Sequence, residues 1–441
     1  MNSKILSLLA IIPMLFFVIF IMEDSIFQVY LSLLLIYLYL YSLNYKLGDP
    51  QVLILIGIIF FNARPFLDII FSTSTFGDTH GFFKSGSFDV DILEGAKFYI
   101  KLSILAFMLG MFRVKKNDDI NNGIDVFEYK TNSYYREYLF LLLFPTLLSC
   151  FILIFLCVLN GGYAYFNSGN VTVSILRRFI PLLSVCLTLN LLFYKKKFIT
   201  YITILVCLSI TVFIGARIIG IMPIICIIVY CSFKYKNIYN KYLPILGALI
   251  ILFSVLINFL RSGHSLDANI NYLFFIKFFL NEISFTTNLI PMAFEYTSSN
   301  GFSYGINYMG AISSIIPKLA FWMKVSEDSY SFSSALGMFY DPSAIMQGLG
   351  LNGSMLGEAY YSFGFFGVLL IFIMSFSLRL LFSKTTSNRI WSYFVIAASP
   401  YLLTMFIFES TIIFRSVTYY SIFPIVIYFI FIKKFTRVKK W

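Results

Sequence analysis

Apolar residues follow one another along this chain in blocks of about twenty, without the one-sided stripe of a soluble helix. Each block is long enough to cross about 30 Å of hydrocarbon as a helix. The pattern predicts twelve spans, at roughly 5–22, 26–43, 51–70, 96–112, 138–159, 176–194, 198–215, 217–233, 243–260, 354–382, 390–408 and 413–432. One interval breaks the rhythm. Residues 261–353 are too long for a connector and not simply polar, which predicts a functional loop outside the membrane. Within it, Asn271 to Phe285 is almost wholly apolar, with Lys277, Asn281 and Ser284 on one helical face. That predicts a short helix lying in the interface or on the bundle. Gly301-Phe-Ser-Tyr-Gly305, Pro317, Asp341-Pro342 and Gly348-Leu-Gly350 predict turns with aromatic rings between them, and rings beside small polar groups suit sugars. The expected fold is an all-α bundle of about twelve transmembrane helices: 1–260 hold the first nine, 261–353 the large extracytoplasmic loop, and 354–441 the last three and a basic tail.

Composition confirms the class. Hydrophobic residues make 59% of the chain and charged residues 12%, half the usual share of a soluble domain. A soluble enzyme, a nucleic-acid-binding module and a disordered chain are excluded. The net charge of +12 then reads as orientation. Arg113-Val-Lys-Lys116, Lys195-Lys-Lys197, Lys234 to Lys241 and Lys433 to Lys440 fall on one side of the predicted membrane. Glu23-Asp24, Ser72 to Glu94 and residues 261–353 fall on the other. Both termini are therefore expected in the cytoplasm. The first apolar run has no small-x-small cleavage site and is expected to be retained. The six cysteines lie in or beside apolar spans and none forms a C-x-x-C, as expected of buried apolar fillers. No H-E-x-x-H, P-loop or G-x-G-x-x-G occurs, so no metal and no cofactor is expected.

Arginines on the outer face run against the orientation rule. Arg177, Arg178, Arg217, Arg261 and Arg415 all fall at predicted outer ends of spans. Each alone can snorkel to water at modest cost. Together they offer a site for one anionic group, because the guanidinium fork donates two parallel hydrogen bonds and stays charged. A diphosphate at that boundary is expected to be attached to a lipid, which points to a polyprenyl-diphosphate carrier. Two carboxylates lie at the same level. Glu358, in Gly357-Glu-Ala-Tyr-Tyr361-Ser-Phe-Gly364, is a candidate to deprotonate or orient a sugar hydroxyl, or to serve a helix start or a salt bridge. Glu409 is expected to pair with Arg415 or to contact sugar, and Tyr360 is a candidate glycan contact. His264, three residues after Arg261, is an alternative base, sugar contact or plain loop residue.

The chain resembles the O-antigen polymerases of the Wzy type. The resemblance rests on the many spans, the large late loop and, in order, Arg178-Phe-Ile-Pro181, Gly215-Ala-Arg217, Leu260-Arg-Ser-Gly263 and Gly353-Ser-Met-Leu-Gly-Glu358-Ala-Tyr-Tyr-Ser-Phe-Gly364-Phe-Phe-Gly367. It implies an inner-membrane glycosyltransferase with a GT-C-like helical fold. Its partners would be undecaprenyl-diphosphate-linked oligosaccharide repeat units and membrane lipids, together with a chain-length regulator, and no nucleic acid. The family's arginines map onto Arg178, Arg217, Arg261 and Arg415. On that reading, Arg217 and Arg261 stabilise the departing diphosphate, while Arg178 and Arg415, with Arg177, help hold donor or acceptor. An O-antigen ligase is the near rival. A repeat-unit flippase is the distant one, but it would show related halves and short outer loops.

Overall fold

A computed structural model describes residues 25–62, 64–71, 88–113, 133–166, 170–214, 217–234, 286–315, 331–343, 353–384, 389–404, 409–427 and 430. They are helical, and no strand occurs among them. In chain order the helices are α1 (Ile26–Ser42), α2 (Pro50–Phe61), α3 (Arg64–Phe71), α4 (Val90–Met111), α5 (Ser133–Leu159), α6 (Tyr163–Phe166), α7 (Val171–Arg177), α8 (Leu182–Leu189), α9 (Lys197–Ser209), α10 (Arg217–Lys234), α11 (Leu289–Asn300), α12 (Ile306–Ser313), α13 (Phe332–Tyr340), α14 (Met355–Phe363), α15 (Gly367–Lys384), α16 (Arg389–Leu403) and α17 (Ser410–Val417). Short π-turns extend α8, α9 and α17.

Among the described residues, five helical runs are long and apolar enough to cross a membrane: Glu137–Leu159, Val171–Tyr194, Lys197–Ile214, Met355–Ser383 and Ser410–Ile427. Ile26–Ser42, Pro50–Phe61, Met222–Lys234 and Trp391–Leu403 are apolar but shorter. Two predicted spans, 5–22 and 243–260, lie outside the described residues, as does the predicted helix at Asn271–Phe285. The span expected at 51–70 is broken instead. Its helix stops at Phe61 and restarts at Arg64, ahead of Pro65, whose ring cannot continue a helix from below. The break is supported by side chains. Asn62 Nδ2 donates to the Ile58 carbonyl, and Thr287 Oγ1 donates to the Phe61 carbonyl at 2.6 Å. Arg64 and Asp68, one turn apart, are both buried there.

The chain divides into two compact units. One draws on Met1–Asn117, Ala268–Leu380 and Leu403–Arg415. Here α11 packs on α4, α13 and α14, and α2 packs on α4. Helices α11, α12 and α13 come from the region expected as an extracytoplasmic loop, so this part of it is helical and built into a core. α4 and α15 touch at backbone distance. A Cβ on Gly110 would lie 2.6 Å from the Phe372 carbonyl oxygen and 1.9 Å from Ser375 Oγ. Small residues at such a crossing replace the hydrophobic drive that lipid does not supply.

The second unit draws on Asp118–Asp267, Leu381–Leu402 and Ser416–Trp441. There α8 packs on α5 and α10, and α9 on α10. Cys150, Leu153, Cys157, Val206, Cys207 and Ile210 belong to its fully enclosed core. The cysteines are free, five buried and Cys231 half-buried, in keeping with their expected role as fillers. The turn from α8 to α9 is tight. Lys195 takes a left-handed φ of 54°, and the Asn190 side chain accepts from the Lys196 N–H while donating to the Lys196 carbonyl and to Thr200 Oγ1. One amide thereby closes the hairpin and leaves Lys195, Lys196 and Lys197 exposed.

Candidate active site

Two carboxylates are brought together in the first unit. Glu358 is in the first turn of α14, whose N-cap Ser354 accepts from the Gly357 N–H. It is fully buried. Its Oε2 accepts the Ser410 N–H at 2.7 Å, and its Oε1 accepts from Ser410 Oγ and from Asn307 Nδ2 at 2.8 Å. Ser410 opens α17, so the carboxylate sits on the positive end of that helix, where orphan N–H groups welcome negative charge. Asn307 is itself fully buried, and its Oδ1 accepts from Ser303 Oγ (2.8 Å) and Ser362 Oγ (2.7 Å).

Glu409 immediately precedes Ser410 and turns the other way. Its Oε2 accepts from the Ser333 N–H and Ser333 Oγ, both at 3.0 Å, and Ser331 Oγ donates to the carboxylate at 2.9 Å. Ser331 is the N-cap of α13. Each glutamate therefore holds the start of a helix other than its own, and residues 409–410 lace α12, α13, α14 and α17 at one point. The expected pairing of Glu409 with Arg415 is not formed: the carboxylate is buried among serines, while Arg415 is exposed further along α17. At the far end of α13, Tyr340 donates to Glu295 Oε2 at 2.6 Å. Burial, reinforced by that carboxylate, holds its phenol well above the usual range and keeps it a donor.

Tyr360 does not offer a free ring. It is buried and stacked on Phe294, with centroids 3.6 Å apart and planes within 8°, and Tyr99 meets it edge-on. An aromatic cluster holds it in position.

Arg177, Arg178 and Arg217 belong to the second unit. Arg177 is half-buried, with its guanidinium 4.3 Å from the centre of the Phe166 ring and donating to the Phe166 carbonyl at 3.3 Å. Arg178, next in the chain, is exposed at the end of α7. Arg217 is the first residue of α10. Arg261 and His264 lie outside the described residues. No three His, Cys, Asp or Glu side chains among the described residues are grouped as a metal would need.

Sequence reasoning selected both carboxylates but missed Asn307, Ser331, Ser333 and Ser410. Ser331, at the start of an apolar run, carried a legible helix-cap signal. Asn307 had none, since its partner is 51 residues away.

A family model described as O-antigen polysaccharide polymerase Wzy matches residues 4–439. The chain belongs to the Wzy family. No curated protein matches it, and no solved structure does. As a Wzy polymerase the chain has polymerising glycosyltransferase activity on lipid-linked oligosaccharide repeat units. The helical, span-rich architecture agrees with that class.

Proposed function

We propose that this Wzy polymerase joins undecaprenyl-diphosphate-linked repeat units on the periplasmic face of the bacterial inner membrane, with both termini in the cytoplasm and a GT-C-like bundle of about twelve spans. The family match across residues 4–439 carries this reading. In the reaction, a hydroxyl of the acceptor repeat unit attacks the anomeric carbon of the donor glycan. The new glycosidic bond forms as the bond to undecaprenyl diphosphate breaks. The hydroxyl's proton passes to solvent water, and the diphosphate leaves with the bonding pair.

Arg217 and Arg261 are assigned to the charge developing on that leaving group, where preorganised donors shielded from water act most strongly. Arg178 and Arg415, both exposed, are assigned to holding donor or acceptor diphosphate, and Arg177 and His264 are assigned to substrate binding. Glu358 and Glu409 are assigned to positioning, because their oxygens are occupied by helix starts and by serine and asparagine side chains. No metal or cofactor enters the scheme. A chain-length regulator is the proposed protein partner.

Complementation of a polymerase-null strain tests the assignment. Arg217→Ala and Arg261→Ala should each leave core plus one repeat unit on a lipopolysaccharide gel. A normal long-chain ladder from a well-expressed variant removes that arginine from the mechanism. Bare core in the null strain would instead indicate the ligase reaction.

A further inference from the structure

Between α11 and α12, Gly301-Phe-Ser-Tyr-Gly305 makes a turn that is held hard and displays one ring. The Ser303 and Tyr304 N–H groups donate to the Tyr361 and Ser362 carbonyls, at 3.1 and 3.0 Å. Those carbonyls lie in the last turn of α14, where intrahelical donors run out. Ser303 Oγ also donates to Asn307, so the turn is tied to the network around Glu358. Gly301 and Gly305 adopt φ of 77° and 86°, which glycine allows. Tyr304 adopts φ 50° without that freedom. It does so with its side chain 77% exposed. Glycine or asparagine would satisfy the backbone better, so the ring is kept there against a local conformational preference.

The segment itself is uncharged. From Thr297 to Ser313 the sequence has no Asp, Glu, Lys or Arg. Ser298, Ser299 and Asn300 are exposed at the end of α11, and Phe302 stands at 79° to Tyr304, with ring centroids 6.4 Å apart. A phosphate or lipid headgroup would call for cations here. A ring face with hydroxyl and amide neighbours suits the C–H face and hydroxyls of an uncharged sugar.

We propose that Tyr304, backed by Phe302, is a sugar-ring platform that determines specificity for the glycan of the lipid-linked repeat unit. The inference rests on the polymerase reading. It is tested by polymerisation of repeat units, isolated as the lipid-linked form from the polymerase-null strain, by the purified full-length chain in nanodiscs. Tyr304→Phe keeps the ring and should leave KM within about twofold. Tyr304→Gly and Tyr304→Asn remove it while relieving the backbone, and Tyr304→Leu replaces it with an apolar chain. All three should raise KM about tenfold with little change in kcat. Tyr304→Gly should meanwhile keep or raise the thermal midpoint. A wild-type KM in the Gly and Asn variants overturns the platform. A wild-type KM in Tyr304→Leu makes the residue an apolar membrane contact and also overturns it. A wild-type protein that extends no repeat unit overturns the polymerase reading itself.

Discussion

Glu358 shows how a buried carboxyl can be held by neutral donors alone. It receives three donors, one of them a helix-terminal N–H. Removing a donor leaves a carboxyl oxygen short of a partner in a site closed to water. Asn307→Ala should therefore destabilise the protein by about 2–3 kcal/mol, read as a lower thermal midpoint in detergent. Glu358→Gln is the sharper probe. A carboxylate accepts at both ends, whereas an amide accepts at one and turns a donor toward Ser410 or Asn307 at the other. The variant should lose stability and ladder formation together. If it keeps the wild-type midpoint yet loses turnover, the carboxylate is acting in acid–base chemistry and the positioning role is wrong.

Some helices in this protein are held by one another's ends as well as by packed faces. Glu409 supplies the acceptor that α13 lacks at its start, so Glu409→Ala should let that end fray. Faster amide exchange confined to residues 331–336, seen by hydrogen–deuterium mass spectrometry, is the expected result; unchanged exchange there would deny Glu409 its anchoring role. The α4–α15 crossing depends on a missing side chain. Gly110→Ala should lower the thermal midpoint by several degrees, and Ser375→Gly added to it should not restore it, because the Phe372 carbonyl remains 2.6 Å away. Full rescue by the serine change would show that the hydroxyl alone was the obstacle.

Orientation follows from charge more than from any contact. The Asn190 clamp holds Lys196 by its backbone, and the lysine side chain lies over the Tyr194 ring at 5.6 Å, so a cysteine can replace that lysine with the hairpin's hydrogen bonds kept. Lys196→Cys should react with an impermeant maleimide in inverted vesicles but not in intact spheroplasts. Tyr304→Cys should behave the opposite way. The native thiols, mostly buried, give a low background. The same sidedness for both would refute the proposed topology.

Much of this was readable along the chain. Apolar runs longer than a soluble helix needs, with lysine-rich loops such as Lys195-Lys-Lys197, point to a helical membrane protein and an expected orientation, because lipid accepts only backbone that is internally hydrogen-bonded. The order of Arg178, Arg217, Arg261 and Glu358 likewise suffices to place the chain near its family. Periodicity says nothing about which polar groups meet. Only the folded chain brings Glu358 to Ser410 and Asn307, turns Glu409 away from the nearby Arg415 toward Ser331 and Ser333, and buries Tyr360 against Phe294. Those choices join residues some fifty to eighty positions apart, and they are made by the need of each buried acceptor and each helix start to find a partner where water is excluded.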